Sequence, residues 1–173
     1  MESSHADLAR AATERPRMTA AEPNALSYLA RRGVAAQWRL FLRALVETLD
    51  ANLDAASRDA LLRTVGSRFG ALAPLPPCGG LAELEARMNE VLATADWGWV
   101  EIALDPGDRT LVLVHRAAPA VATGADPAGG WIAAVLEGLY AAWLAAQPGA
   151  EPTLLPRRVG AAGGSITLRY GQG

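Results

Sequence analysis

Apolar residues in the first half of the chain recur at spacings of three and four positions. This spacing places them on one face of an α-helix, and it predicts three helices between residues 26 and 92. Asp54 or Ser57 can cap the second helix, and Pro74 follows its end. The apolar faces consist of Trp38, Phe41, Leu42, Leu45, Val46 and Leu49 in the first helix, Leu61, Leu62, Val65 and Phe69 in the second, and Leu81, Leu84, Met88, Val91 and Leu92 in the third.

The period of the pattern changes at Trp97. Apolar and polar residues alternate from there, as a half-buried strand requires, up to a turn at 105–108. The remaining predicted elements are a returning strand at 110–115, a long apolar helix at about 131–147 and a C-terminal hairpin of segments 153–159 and 165–170. Three helices, a hairpin, one helix and a second hairpin indicate an α+β domain with an antiparallel sheet.

The first 24 residues show no sustained apolar period. They are rich in Ala, Ser, Glu and Arg and include Pro16 and Pro23, so residues 1–24 are predicted to form a mobile tail. Residues 25–173 are predicted to form one domain, since a chain of 173 residues can bury a single core of useful size.

The predicted fourth helix is apolar around more than half of its circumference. A small domain rarely buries so much of one helix, so an oligomer interface is expected there. The expected interface residues are Trp131, Val135, Leu136, Leu139, Tyr140 and Trp143. Glu137 interrupts this surface, and the sequence leaves open whether it faces solvent or pairs with an arginine across an interface.

Composition excludes several kinds of chemistry. All sixteen basic residues are arginine, which excludes a Schiff-base lysine, a pyridoxal phosphate anchor and a P-loop lysine. The formal net charge of -2 gives no reason to expect nucleic acid as a partner. Residues 1–7 lack the pattern of a secretory signal, and the apolar segment 131–146 is shorter than the roughly 20 residues that span a bilayer. A cytoplasmic protein that does not span a membrane is expected.

Candidate catalytic residues are few. His115 lies near a strand end, where a histidine is expected to be solvated or hydrogen-bonded rather than a base. Asp105 and Asp108 flank a Pro-Gly turn, where such side chains bond the local backbone. Cys78, the only cysteine, lies in a turn without a histidine nearby in sequence. We therefore expect no enzyme activity, no cofactor and no metal site.

The tryptophans allow two interpretations. Trp97, Trp99, Trp131 and Trp143 are expected in a core or an interface. Sugar rings also pack on aromatic faces, so an exposed tryptophan or tyrosine can instead mark a contact with a glycan.

Several motifs resemble those of a known family. The stretch 95–104 and residues 113–115 precede a glycine-containing loop, and the helix after it carries Val135-Leu-Glu-Gly-Leu-Tyr140, the most specific segment. Over residues 37–150 the chain resembles the family of D-type subunits encoded in bacterial cellulose synthase operons. The resemblance implies a subunit without catalytic activity that assembles into a homo-octamer built from dimers. It also implies that the octamer organises synthase complexes or nascent glucan chains for the export of crystalline cellulose.

The resemblance further implies partners and a binding segment. Expected partners are other cellulose synthase operon proteins, including a proline-rich protein with which members form a cytoplasmic scaffold near the inner membrane. If the family's passage-lining segment corresponds to the residues around the start of the first predicted helix, glucan would meet Tyr28, Arg31, Arg32 and Trp38. Two alternatives stay open, namely a glycan-binding module and an enzyme that acts on the glucan through paired carboxylates.

Overall fold

The computed structural model describes residues 21–151 and 153–171, with side chains from residue 25 onward. The α+β class and the antiparallel sheet are confirmed. The elements are α1 (Ala21–Arg32), α2 (Ala36–Asn52), α3 (Ala55–Leu72), α4 (Leu81–Thr94), β1 (Trp99–Asp105), β2 (Thr110–Arg116), α5 (Ile132–Ala145), β3 (Arg157–Ala162) and β4 (Ser165–Tyr170). Residues 1–20, which make up most of the predicted tail, lie outside the described residues.

The first predicted helix is in fact two helices. A short break separates α1 from α2, so between residue 21 and the first hairpin the chain forms four helices rather than three. The Arg39 guanidinium donates to the carbonyl oxygens of Arg31 and Val34 at 2.7 and 2.9 Å. These bonds satisfy carbonyls that the end of α1 leaves without helical partners. A Cβ atom on Gly33 would lie 3.1 Å from the carbonyl oxygen of Asp96, so the break packs tightly against the segment before β1.

The four strands form one antiparallel sheet in the order β1-β2-β4-β3. Successive residues of a strand face opposite sides of the sheet. The inner side joins the core that contains α5, and it carries the buried residues Val100, Leu113, His115, Ile166 and Leu168. The outer side is open, because Trp99, Glu101 and Ala103 of β1 are all exposed.

The C-terminal hairpin begins later and has a tighter turn than predicted. β3 spans Arg157–Ala162 instead of residues 153–159. The turn consists of Gly163 and Gly164, with φ angles of 57° and 80°. Two consecutive left-handed residues are the geometry of a two-residue type I′ turn. A Cβ atom on Gly164 would lie 2.9 Å from the backbone nitrogen of Ser27, so this turn packs against α1.

Helices α3 and α5 cross with their backbones in contact. A Cβ atom on Gly66 would lie 1.8 Å from the carbonyl oxygen of Val135, and one on Gly138 would lie 1.9 Å from the carbonyl oxygen of Arg63. Neither position has room for a side chain, which explains the glycine in the middle of each helix. The close crossing lets α3 cover one flank of α5.

The outer edge of β1 is closed by side chains from α4. The Asn89 amide donates to the carbonyl oxygen of Val100 at 2.9 Å and accepts from its N–H at 2.7 Å. The Glu85 carboxylate accepts from the N–H of Ile102 at 2.6 Å. Unpaired strand edges recruit other strands, and these bonds occupy three backbone groups in the middle of the free edge.

Candidate functional site

The six side chains predicted as an oligomer interface lie in the core of the single chain. Each is at most 8% exposed: Trp131, Val135, Leu136, Leu139, Tyr140 and Trp143. They share one apolar cluster with residues of α3, α4 and the sheet. The apolar circumference that suggested a second copy is therefore explained by packing within one chain, because α5 is surrounded by its own fold. In the single chain these six residues are core positions and present no exposed interface surface.

Glu137, the acidic residue on this helix, pairs with an arginine of its own chain. Its carboxylate accepts from Arg63 Nε at 2.6 Å and from the backbone N–H of Arg158 at 2.7 Å. The side chain is 11% exposed. Glu137 thus joins α3, α5 and the start of β3.

His115 is fully buried and hydrogen-bonded at both ring nitrogens. Nε2 lies 2.7 Å from the carbonyl oxygen of Trp97, and Nδ1 lies 2.5 Å from the hydroxyl oxygen of Tyr140. A carbonyl oxygen can only accept, so Nε2 carries the proton and Nδ1 accepts from the tyrosine O–H. Burial lowers the pKa of His115 to about 4 and raises the pKa of Tyr140 well above its ordinary value. Both rings are neutral near pH 7, and of the two expectations for His115 the hydrogen-bonded one is confirmed.

The two turn aspartates bond their own turn, as predicted. Asp105 Oδ1 accepts from the N–H of Gly107 at 3.0 Å, and Asp108 Oδ1 accepts from the hydroxyl of Thr110 at 2.6 Å. Arg169 of β4 forms ion pairs with both carboxylates. The bonds from Thr110 and the charge of Arg169 lower the pKa of Asp108. The pair therefore fixes the β1–β2 turn against β4.

Cys78 lies in the connection before α4, as the sequence predicts. Its thiol donates to the carbonyl oxygen of Pro76 at 3.3 Å, and its N–H donates to Gln147 Oε1 at 2.9 Å. Within residues 21–151 and 153–171, no three His, Cys, Asp or Glu side chains are grouped so that they could hold a metal ion.

An open apolar groove runs between α2 and α3. Val46 is the only buried residue of α2, whereas Trp38, Phe41 and Leu45 are 54%, 56% and 43% exposed. We use the name α2–α3 groove for the cavity of about 520 Å³ whose walls include Trp38, Leu42, Leu45 and Leu49 of α2 and Leu61 and Val65 of α3. Leu61 and Val65 are themselves 43% and 52% exposed. The sequence pattern marked these residues as apolar helix faces, but it did not indicate that part of this surface would be left open.

A second open site lies at the start of β1. We use the name Trp99 cleft for a cavity of about 600 Å³ lined by Leu29 and Arg32 of α1 and by Asp96, Gly98 and Trp99. The Trp99 side chain is 36% exposed on the outer side of the sheet. The cleft therefore combines an aromatic ring with one positive and one negative side chain.

The four residues predicted to contact glucan do not form a single site. Arg32 lines the Trp99 cleft, and its Nη1 atom lies 3.4 Å from the hydroxyl oxygen of Tyr28. Arg31 lines a separate cavity between α1, α2 and the loop before α5. Trp38 lines the α2–α3 groove. Only the Tyr28–Arg32 pair stays together, beside a tryptophan of β1 that is distant from it in sequence.

A protein-family model that describes the D-type subunit of cellulose synthase matches residues 24–171. The chain belongs to this cellulose synthase operon protein D family. Curated relatives named cellulose synthase operon protein D come from Komagataeibacter xylinus and Komagataeibacter sucrofermentans. Both are 38% identical over 111 residues, which cover 64% of this chain and 71% of each relative. A further relative of the same name from Komagataeibacter xylinus is 39% identical over the same length.

The family match confirms the resemblance drawn from the sequence. As a member of this family, the protein takes part in cellulose biosynthesis. None of the helices in the described part of the chain is both long and apolar enough to cross a membrane.

Proposed function

We propose that this member of the cellulose synthase operon protein D family is a non-catalytic structural subunit that assembles with copies of itself. The proposed assembly is a homo-octamer built from dimers, which arranges synthase complexes or nascent glucan chains for the export of crystalline cellulose. The observation that carries the proposal is the α2–α3 groove, an apolar surface that the single chain leaves open.

The groove is suited to a helix from a second copy. Soluble chains rarely leave contiguous apolar surface exposed unless a partner covers it. An amphipathic helix binds such a groove through apolar residues at helical spacing, and α2 presents that spacing itself through Trp38, Phe41 and Leu45. A two-fold dimer uses the same patch on both protomers, so α2 of each copy would cover the groove of the other. The aromatic residues of α2 are of the type that dominates interface energetics.

The hydrogen bonds and ion pairs of the histidine and the acidic residues named above support the proposed lack of catalytic activity. His115 is buried and neutral between two hydrogen-bond partners. Asp105 and Asp108 are paired with Arg169, and Glu137 is paired with Arg63. A general acid or base must reach the substrate proton with a suitable pKa, and these groups are engaged in holding the fold.

The proposed partners are the other proteins of the cellulose synthase operon, including a proline-rich one, at the cytoplasmic face of the inner membrane. The name of the relatives, cellulose synthase operon protein D, supports the operon partners. Fractionation of cells and affinity copurification from them test both parts. Recovery of the protein in the periplasm would reject the proposed location, and copurification without operon proteins would reject the partners.

Light scattering coupled to size exclusion tests the assembly. The wild type is expected at eight times the chain mass of 18.1 kDa. Leu45→Glu places a charge in the α2–α3 groove and is expected to reduce the mass below that of the octamer, because the contact that forms each dimer is lost. The matched control is Leu40→Glu, because Leu40 is 76% exposed and lies on the opposite side of α2. A monomeric wild type, or a Leu45→Glu variant that keeps the full mass, would reject the proposed interface.

A second candidate function is a glycan-binding module that contacts glucan chains directly. The exposed Tyr28 beside Arg32 favours it, since an aromatic ring and a guanidinium offer a stacking surface and hydroxyl-binding donors. Calorimetric titration with soluble cello-oligosaccharides tests the candidate. No heat from the wild type would reject it, whatever its oligomeric state.

A further inference from the structure

We propose that the Trp99 cleft is a saccharide site that takes a short run of β-1,4-linked glucose residues. Trp99 is the stacking platform, and Asp96 and Arg32 bind the hydroxyl groups. The identity of the sugar rests on the proposed role in cellulose synthesis, whereas the site itself rests on the geometry of these three side chains.

Trp99 differs from the tryptophans that serve the core. The indole N–H groups of Trp131 and Trp143 each donate to a backbone carbonyl at 2.9 Å, and both side chains are buried. Trp99 is 36% exposed, and its indole N–H has no acceptor among the residues that the structure describes. Buried tryptophans usually satisfy this N–H. A partly exposed ring with a free donor can stack on a sugar face and bond one of its hydroxyls.

The polar groups of the cleft are also available to a ligand. Within the described part of the chain, the Asp96 carboxylate has no hydrogen-bond or ion-pair partner, and Arg32 has only the 3.4 Å contact with the Tyr28 hydroxyl. A carboxylate accepts from hydroxyls and a guanidinium donates to them. One negative and one positive side chain give the cleft no preference for an ion. The combination suits a neutral polyhydroxyl ligand.

The backbone holds this arrangement in an unusual conformation. Among the described residues, three non-glycine positions have a positive φ, and two of them, Asp96 at 55° and Ala117 at 56°, border the cleft. Gly98 has a φ of 76°, and a Cβ atom there would lie 2.0 Å from the carbonyl oxygen of Arg116. Such conformations cost free energy and recur at ligand-binding sites. Here Asp96 and Trp99, on either side of Trp97 and Gly98, both line the same opening.

The cleft has the size of a small-ligand site. Its volume of about 600 Å³ falls within the range of roughly 300–1,000 Å³ that is usual for such sites. It is open rather than enclosed, as the site of a chain that continues beyond it must be. A linear glucan presents the axial C–H face of each ring to an aromatic platform and its equatorial hydroxyls to groups at the rim.

Isothermal titration calorimetry of the full chain with cellotetraose tests the site. The wild type is expected to bind cellotetraose. Trp99→Ala and Asp96→Asn are each expected to weaken binding by at least about tenfold, because the first loses a stacking contact and the second a charged one. Trp99→Phe, which keeps a ring, is expected to retain most of the affinity. The control is Leu104→Ala, because Leu104 is exposed on the same strand but outside the cleft. Maltotetraose, with α-1,4 links, is expected to bind more weakly.

Binding and oligomeric mass are measured separately, so a failure of the proposed sugar site can be distinguished from a failure of the proposed octamer. Light scattering of Trp99→Ala is expected to give the wild-type mass, since Trp99 lies outside the α2–α3 groove. No binding of cellotetraose by the wild type, or equal binding by wild type and Trp99→Ala, would overturn the proposal even if the octamer forms. If Trp99→Ala does not fold, Arg32→Gln decides the question, because it changes an exposed side chain that lines the Trp99 cleft and not the α2–α3 groove.

Discussion

The side-chain amide of Asn89 holds both backbone hydrogen-bonding groups of Val100, donating to its oxygen and accepting from its N–H. An amide can make this pair of bonds because it carries a donor and an acceptor side by side, as a neighbouring strand would. Val100 is completely buried. The bonds therefore end the sheet at β1 without leaving a buried backbone group unsatisfied.

Replacing Asn89 by alanine is expected to lower the free energy of unfolding by about 1–3 kcal/mol, because two backbone groups of a buried residue lose their partners. Asn89→Asp is expected to be destabilising as well, since a carboxylate cannot donate to the Val100 oxygen. Denaturant titration measures both changes. Glu90→Ala is the control, because its ion pair with Arg87 is exposed to solvent and contributes little to stability. Equal stability of Asn89→Ala and wild type would contradict this account.

Alanine at either glycine of the α3–α5 crossing is expected to cost about 3 kcal/mol or more. The added Cβ atom at Gly66 or Gly138 would meet a backbone oxygen at 1.8 or 1.9 Å, so the helices must separate and lose core contacts. Gly80→Ala is the matched control, since a Cβ atom there meets nothing within 4 Å and its backbone is extended. Thermal unfolding distinguishes the three variants. A Gly66→Ala protein as stable as Gly80→Ala would show that the helices do not cross this closely.

Sequence periodicity predicted which residues share a helix face but not what covers that face. Leu45 of α2 and Leu139 of α5 both fit an amphipathic period, yet Leu45 is 43% exposed and Leu139 is fully buried. The period depends only on neighbours along the helix. Burial depends on elements distant in sequence, such as the crossing of α3 over α5, which the glycines at positions 66 and 138 permit. This is why the interface was expected on α5 while the open apolar surface lies along α2.

The Trp99 cleft could not be predicted from the sequence for a related reason. Arg32 belongs to α1 and Trp99 to β1, and only the packing of the α1–α2 break against the segment before β1 brings them together. The alternating pattern correctly placed Trp99 on the opposite side of the strand from Val100. A tryptophan on the polar side of a predicted strand was the signal available in the sequence.

Acid is expected to destabilise the protein through His115. Burial lowers the pKa of His115 to about 4 from an ordinary value of 6.5. Between these values the unfolded chain binds a proton that the folded chain excludes, so stability present above pH 6.5 is lost as the pH falls toward 4. The full loss amounts to about 3 kcal/mol. Urea titrations at several pH values in this window measure it.

The matched variant for this pH dependence is His115→Gln, which removes the titrating ring. It is expected to be less stable near neutral pH and to show a flatter dependence across the same window. The carboxylates of Glu47, Asp54 and Asp108 have lowered pKa values because of their hydrogen bonds, so they lose their contribution at lower pH in both proteins. The same slope in wild type and variant would show that His115 is not the group responsible.

Substitutions of Glu137 test whether this acidic residue stabilises the fold of its own chain or forms a contact between protomers. Glu137→Ala is expected to lower the free energy of unfolding by about 1–3 kcal/mol, because the backbone N–H of Arg158 and the Arg63 guanidinium lose their acceptor. Glu137→Gln keeps one acceptor oxygen and is expected to cost less. Both variants should keep the wild-type mass in light scattering, since the carboxylate is only 11% exposed and its partners belong to its own chain. A variant that loses mass but not stability would instead assign Glu137 to a contact between protomers.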